Sequence, residues 1–352
     1  YSAILKEHIA RAVDLLSDIV FHSVYPQAEI DKEVEVICDE IESYNDSPAE
    51  LIYDEFENIL FKNSSLGHNI LGTAEQVRSF TTEDALRFTR KLYRPDNAIF
   101  FAYGDIDFKK LVKLIGRALA DDESGKLAAE KLPQISQITQ ISRDENSVAT
   151  EKSVESVGPK NYSSVGNEMA GQTIVMEKNT HQAHVMIGTR AYDVNDDRRM
   201  PLYLLNNILG GPGMNAKLNL ALREHNGLVY TVESTMVAYG DTGTWSIYFG
   251  CDEHDIKRCL RLVRKELDRM MEKPLSDSQL KAAKKQIKGQ IGVACDNREN
   301  FALDFGKSFL HYGWEKNVDR LYEQVEAITS QQIQDVAREL FDKNRLITLI
   351  FK

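Results

Sequence analysis

Residues Glu75–Gly104 read EQVRSFTTEDALRFTRKLYRPDNAIFFAYG, and residues Glu323–Lys352 read EQVEAITSQQIQDVARELFDKNRLITLIFK. The two stretches match in apolar pattern from end to end without a gap. The first predicts a helix from Glu83 to Tyr93 capped by Thr82, a turn at Arg94–Asn97, and a buried strand at Ala98–Tyr103 closed by Gly104. The match continues backwards. Ile30–Asp54 lies over Leu280–Asp304, with Ile37 on Ile287, Ile41 on Ile291 and Asp54 on Asp304, and residues 1–24 lie over Tyr248 to about Met271. The chain is therefore read as a duplication, two copies of one α/β unit. Residues 173–247 of the second copy have no counterpart in the first. The first copy is accordingly expected to lack its front strands and first helix, with further residues preceding Tyr1 in the native protein.

Working outward, residues 4–24 read as an amphipathic helix broken by Tyr25-Pro26, and Asp46-Ser47-Pro48 opens a helix through Phe61. Residues 121–171 are rich in Ser, Glu, Asn, Lys and Gly with short apolar runs, and read as a linker with one strand near Ile135–Ile141. Strands are expected at Thr173–Met176, Ala183–Arg190, Leu228–Val237 and Gly243–Cys251, the last two antiparallel. Helices are expected at Arg199–Leu209, at Met214–Glu224 with Gly227 as its cap, and at 253–272, 276–294 and 297–311. This gives a first repeat over 1–125, a linker over 126–171 and a second repeat over 172–352.

Ile30–Tyr44, IDKEVEVICDEIESY, carries the chemistry of the first repeat. Ile30, Val34, Ile37, Ile41 and Tyr44 form one apolar stripe. Glu33 and Glu40 are almost two turns apart and stack beside that stripe rather than opposite it. A carboxylate at the edge of a core is paired, hydrogen-bonded or metal-bound. On geometry alone a rim salt bridge and a metal ligand with a supporting carboxylate both remain open. The repeat bears on this choice: Glu40 falls on Gln290 and Glu33 on Ala283, so the second copy keeps the helix and drops both carboxylates.

The chain has 352 residues, enough for two domains, with 42% hydrophobic and 28% charged residues. A net charge of −11 argues against a nucleic-acid surface, and no apolar run reaches the length of a membrane span. The four cysteines form no CxxC pair. Reduced, partly buried thiols favour a reducing, cytoplasmic compartment. A periplasmic location stays open, since the chain opens inside a helix and its targeting region is not in view.

Three anchors, EIDKEVEVICDEIE followed by SSLGHNILG…EQV, the YRPDNAIFFAYGDID turn and strand, and GGPGMNAKLNLALREHNGLVY, resemble the M16 metallopeptidases (pitrilysin, insulin-degrading enzyme, mitochondrial processing peptidase) of the short two-repeat kind. The resemblance covers nearly the whole chain. It implies an α+β fold of two homologous domains, each a mainly antiparallel sheet covered by helices, closing like a clamshell. It also implies a zinc endopeptidase in which Zn2+ is held by an inverted H-x-x-E-H motif and a Glu from a later helix. On this chain that Glu is Glu40, and Glu33 matches the family's supporting acidic residue.

Arg223 and Tyr230 in LREHNGLVY match the family pair that binds substrate backbone and stabilises the tetrahedral oxyanion. A helix-end Arg and a core Tyr are the plainer alternative for these two. No H-x-x-E-H occurs in residues 1–352; by the repeat it would precede Tyr1, over the segment around Arg199–Leu209. The chain by itself is therefore expected to be inactive and to bind no catalytic zinc. His181 and His184, i and i+3 on a strand-like segment, point to opposite sides and read as hydrogen-bonded or exposed. Gly210, Gly211 and Gly213 lack the G-K-[ST] of a phosphate loop and read as a tight helix-to-helix turn.

The resemblance further implies peptide or presequence substrates added as a strand to a sheet edge, and assembly as a homodimer or heterodimer. A non-catalytic partner subunit and a structural peptide-binding homologue are the alternative readings.

Overall fold

The structure, a computed structural model, describes residues 1–119, 169–313 and 317–352. The linker and its strand near Ile135–Ile141 lie outside the described residues. Two compact units emerge, and the chain passes between them more than once. One comprises Tyr1–Cys38, Ala74–Ser156 and Arg298–Glu315; the other comprises Asp39–Thr73, Val157–Asn297 and Lys316–Lys352.

The second unit is built on a five-stranded sheet. Its strands are β1 (Thr173–Met176), β2 (Ala183–Ala191), β3 (Val229–Ala238), β4 (Gly243–Cys251) and β5 (Ile347–Phe351), in the order β1-β5-β2-β4-β3. Only β1 and β5 run parallel; the other three pairs are antiparallel. One face carries α7 (Arg199–Gly210), α8 (Ile256–Glu272), α9 (Asp277–Asp296), α11 (Val318–Ala327) and α12 (Ser330–Leu340). They close over a core in which Val185, Leu205, Trp245, Ile247, Phe249, Val263, Ile287 and Ala337 are buried. α7 lies close to β3 because Gly210 has no side chain: a Cβ there would sit 2.5 Å from the Ser234 amide nitrogen.

The other face of the sheet is covered by α3 (Pro48–Leu60), a helix of the first repeat. Leu51, Ile52, Phe56 and Leu60 of α3, with Phe61, pack on Met186, Ile347, Leu349 and Phe351. Polar contacts edge this layer. Tyr53 donates to the Glu233 carboxylate, Tyr239 donates to Glu57 at 3.2 Å, and the Arg190 guanidinium donates to the Leu60 carbonyl at 3.1 Å. Burial raises the pKa of Glu57 and of Asp54 above the usual carboxylate value.

The first unit gathers α1 (Ile9–Phe21), the opening part of α2 (Gln27–Asn45), α4 (Ala74–Val77), α5 (Thr82–Leu92) and α6 (Phe108–Ala118). Val13 of α1 packs on Leu111 and Ile115 of α6. α5 is closed by a capping box between Thr81 and Asp84. The cap is Thr81 rather than Thr82, whose hydroxyl instead reaches the Tyr25 carbonyl at 2.7 Å. This unit also takes α10 (Arg298–Tyr312), a helix of the second repeat. Phe305 lies on Phe101 with ring centroids 5.0 Å apart, and Phe301 on Tyr103 at 5.7 Å. α10 is the repeat counterpart of α3, so each copy lends the equivalent helix to the other unit.

The expected strand at Ala98–Tyr103 does not form; the segment is extended coil with Ile99, Phe100 and Tyr103 exposed. The reason is pairing. Its counterpart β5 sits between β1 and β2 and bonds to both, whereas no strand lies beside Ala98–Tyr103 among the described residues. Apolar, β-prone sequence makes a strand only where a neighbour satisfies its backbone. A second difference is at residues 214–224, expected as one helix. Residues 214–215 form a turn, helical structure begins at Lys217, and Asn219–Glu224 is wound as a π-helix.

Candidate functional site

Glu33 and Glu40 lie on α2, about 10 Å apart along its axis from the helical rise. Both are exposed, and neither has a hydrogen bond or ion pair among the described residues. Their neighbours do: Glu29 pairs with Lys32 at 2.8 Å and Glu35 with Arg78 at 3.9 Å. The rim salt bridge therefore describes other carboxylates of this helix and not these two.

The position that the sequence alignment of the two halves sets over Glu40 carries a neutral amide. Gln290 on α9 accepts a hydrogen bond from the Asn207 side chain on α7 at 2.6 Å. Asn206 is also satisfied, donating to the Ser234 carbonyl at 2.9 Å and accepting from the Ser234 hydroxyl at 2.5 Å. Ala283, opposite Glu33 in the repeat, packs against the core. Neutral amides thus hold the two helices together where the first repeat presents Glu40.

Arg223 and Tyr230 flank one turn. The π-helix is fixed by His225 N–H donating to the Leu220 carbonyl at 3.0 Å, five residues back. Gly227 then takes φ +60°, and its N–H donates to the Arg223 carbonyl at 2.8 Å. Only glycine adopts this left-handed geometry without strain, which is why the helix ends there. Leu228 N–H returns to the Leu222 carbonyl at 2.9 Å and the chain enters β3.

The β3–β4 register jumps between Val229 and Val232, a bulge on an edge strand that carries Tyr230. Bulges of this kind re-aim side chains and cluster beside active sites. The outcome is a Tyr230 ring that is 81% exposed, which excludes the core-tyrosine alternative. The Arg223 side chain is 52% exposed, with its own neighbour Glu224 at 3.8 Å. No hydrogen bond or ion pair joins Arg223, Tyr230 and Glu40 to one another. Both residues of the pair offer cationic or phenolic donors to solvent, the equipment for holding a peptide carbonyl.

His184 Nδ1 is 2.9 Å from the Tyr248 hydroxyl, and burial holds its pKa below the ordinary histidine value. Tyr248 in turn packs on Tyr53 with centroids 5.3 Å apart. This is a satisfied strand histidine, as its spacing predicted. The four cysteines are free; a hydrogen bond between the Cys251 and Cys259 thiols, with burial, raises the Cys251 thiol pKa. The loop at Gly210–Gly213 is a helix-to-helix turn, tied to α9 by Asn215 donating to Gln286 at 2.9 Å.

A zinc centre takes three or four protein ligands. Glu40 is a suitable oxygen donor, but residues 1–352 contain no H-x-x-E-H. Among the described residues the one group of three metal-capable side chains is Asp252, His254 and Asp255, largely exposed after β4 and carrying neither Glu33 nor Glu40. These residues alone do not fit a catalytic zinc site; such a site would draw its remaining ligands from outside them.

Two family models match this chain: "Insulinase (Peptidase family M16)" over residues 1–74 and "Peptidase M16 inactive domain" over residues 79–287. The chain belongs to peptidase family M16. It is similar to the uncharacterized zinc protease YmxG of Bacillus subtilis, 27% identical over 99% of this chain and 77% of the relative. A Streptomyces coelicolor uncharacterized zinc protease is also 27% identical, over 99% of this chain and 71% of the relative.

Among solved structures, a protease from Helicobacter pylori superposes with a TM-score of 0.79 at 17% identity, covering 99% of this chain and 78% of that one. A peptidase M16 inactive domain from Pseudomonas fluorescens gives 0.71 at 16% identity, covering 97% and 74%. A chain of complex III from Candida albicans also gives 0.71 at 16% identity, covering 99% and 78%. These likenesses establish the α+β fold.

Sequence reasoning missed the residues that hold the Arg223–Tyr230 turn. Asn226 and Arg258 make its side-chain bonds. The Asn226-Gly227 dipeptide, a turn signal, was the available clue.

Proposed function

We propose that the protein is a zinc-dependent endopeptidase that cleaves peptides or unfolded segments, with Glu40 as a metal ligand, Glu33 as its supporting carboxylate, and Arg223 and Tyr230 as the substrate and oxyanion donors. The observation that carries this reading is the asymmetry between repeats. Gln290 is engaged by Asn207, while its counterpart Glu40 is a carboxylate without a hydrogen bond or ion pair among the described residues. Exposed as well, Glu40 is free to take a metal, where the sister copy has a neutral amide tied to its neighbour. The zinc-protease names of the relatives support the metal.

When bound, zinc supplies a water activated at neutral pH. The chain's own residues act on the substrate. Arg223 and Tyr230 donate to the backbone carbonyl of an extended peptide and hold its oxygen as negative charge develops. β3 is an edge strand of the sheet among the described residues, which suits a substrate added as a strand. A homodimer or heterodimer with another M16 subunit is part of the proposal.

The second reading is a non-catalytic partner subunit, supported by the match of residues 79–287 to the "Peptidase M16 inactive domain" model. The deciding experiment loads the full-length protein with zinc and measures cleavage of a panel of unstructured peptides, with and without chelator. Chelator-sensitive cleavage supports the peptidase. Its absence in metal-replete protein refutes the peptidase and leaves the subunit reading.

A further inference from the structure

Asn226 is bonded at both ends of its side chain. Its Nδ2 donates to the Ala221 carbonyl at 2.8 Å, and its Oδ1 accepts from Arg258 Nη2 at 2.8 Å. Arg258 stands in the first turn of α8, which packs against the π-helix. The Ala221 carbonyl is the acceptor that His225 N–H would use if the helix continued in the ordinary four-residue register. Asn226 competes for that carbonyl, and His225 N–H bonds to Leu220 instead. The π register is thus held by a side chain that a second helix fixes in place.

The register matters because it aims Arg223. Going from five-residue to four-residue bonding removes the extra residue of the π-turn and rotates the chain on one side of it by about 100° against the other, so Arg223, inside the turn, changes its aim relative to β3. It would also displace Gly227, whose N–H bonds to the Arg223 carbonyl, and with it the entry of Tyr230 into β3. π-turns are rare and recur at functional sites.

We propose that Arg258 and Asn226 form a clamp that positions Arg223 and Tyr230 for the substrate carbonyl. Neither clamp residue is catalytic; both act through the π-helix and its left-handed turn. This rests on the proposed role of Arg223 and Tyr230, so the experiment separates the two claims.

Arg258→Ala, Asn226→Ala, Arg258→Lys and Arg223→Ala are made in the full-length, zinc-loaded protein, the two clamp truncations are combined with Arg223→Ala, and Tyr230→Phe is made alone. Cleavage kinetics, zinc content, Tm and the affinity of the metal-free protein for a labelled unstructured peptide are measured. The expected result is a fall in kcat/KM of about 10- to 100-fold for Arg258→Ala and Asn226→Ala, with zinc content retained and substantial recovery in Arg258→Lys. Either change added to Arg223→Ala should cost clearly less than it does in the wild type, because the part that acts through Arg223 is already gone and only the part through Tyr230 remains. A merely structural role would give losses that add in full in that background, and that result overturns the clamp.

If Arg223→Ala lowers turnover while both clamp truncations keep it, the clamp is wrong and the Arg–Tyr role stands. If Arg223→Ala and Tyr230→Phe both keep wild-type turnover, the Arg–Tyr role falls and the clamp falls with it. Should Asn226→Ala fail to fold, Arg258→Ala carries the test, since Arg258 is an exposed residue of another helix.

Discussion

Phe56→Ala should destabilise the sheet-bearing unit although Phe56 belongs to the first repeat. Phe56 is 1% exposed on α3, in the cluster that includes Met186, Ile347, Leu349 and Phe351. Removing a buried phenyl ring forfeits its transfer free energy and leaves a cavity, together about 3–5 kcal/mol. For a folding unit of this size, each kcal/mol moves Tm by roughly 2–4 °C, so the unit's transition should fall by about 6–20 °C. The assay is differential scanning calorimetry with tryptophan fluorescence in a Trp314→Phe background as a local probe, because Trp245, the other of the two tryptophans, is buried in β4 of the same unit. Val293→Ala is the control: Val293 is 74% exposed on α9, and its loss should stay within about 0.5 kcal/mol. A Phe56→Ala loss below about 1 kcal/mol would refute the packing of α3 on this sheet.

Three further outcomes are expected. His184→Gln should reduce the acid sensitivity of the sheet-bearing unit. Burial lowers the folded His184 pKa below its unfolded value, so the unfolded chain takes the proton first and stability falls as pH drops from about 6.5 toward the folded value; Tm of wild type and variant at pH 7.5 and 5.5 checks this, and equal drops would sink it. Gly227→Ala should destabilise by about 1–2 kcal/mol through its left-handed φ of +60°, read by urea denaturation, with a neutral effect counting against the turn geometry. Arg223→Ala and Tyr230→Phe should each lower kcat by about 10²–10³-fold, the size of one lost oxyanion donor, with zinc retained; unchanged turnover in both would remove their transition-state role.

Much of the helical order was legible because the signals are local. Ser47-Pro48 opens α3 as expected, the cap of α5 falls one residue from the expected Thr82, and the apolar stripes of α1 and α2 repeat at helical spacing. Duplication added what local signals cannot, the equivalence of Glu40 with Gln290. Three features were out of reach. Ala98–Tyr103 has strand composition, but a strand depends on partners that composition does not reveal. The π-helix at Asn219–Glu224 differs from an α-helix by one hydrogen-bond step, set by Asn226 and Arg258 from outside the segment. The exchange of α3 and α10 between units is tertiary: Ile52 and Phe56 say that a face is buried, not which sheet buries it.

Glu40 and Gln290 show the same limit at the site. The sequence marks Glu40 as a carboxylate beside an apolar stripe, with two explanations. That Glu40 is exposed without an ion pair among the described residues, and that Gln290 is bonded to Asn207, can be seen only in three dimensions.

The most direct test of the central claim is metal content and peptide cleavage measured together on full-length wild type and Glu40→Gln. The account predicts chelator-sensitive cleavage by the wild type, and loss of both bound zinc and turnover in Glu40→Gln. A Glu40→Gln protein that keeps its zinc and its turnover would contradict it.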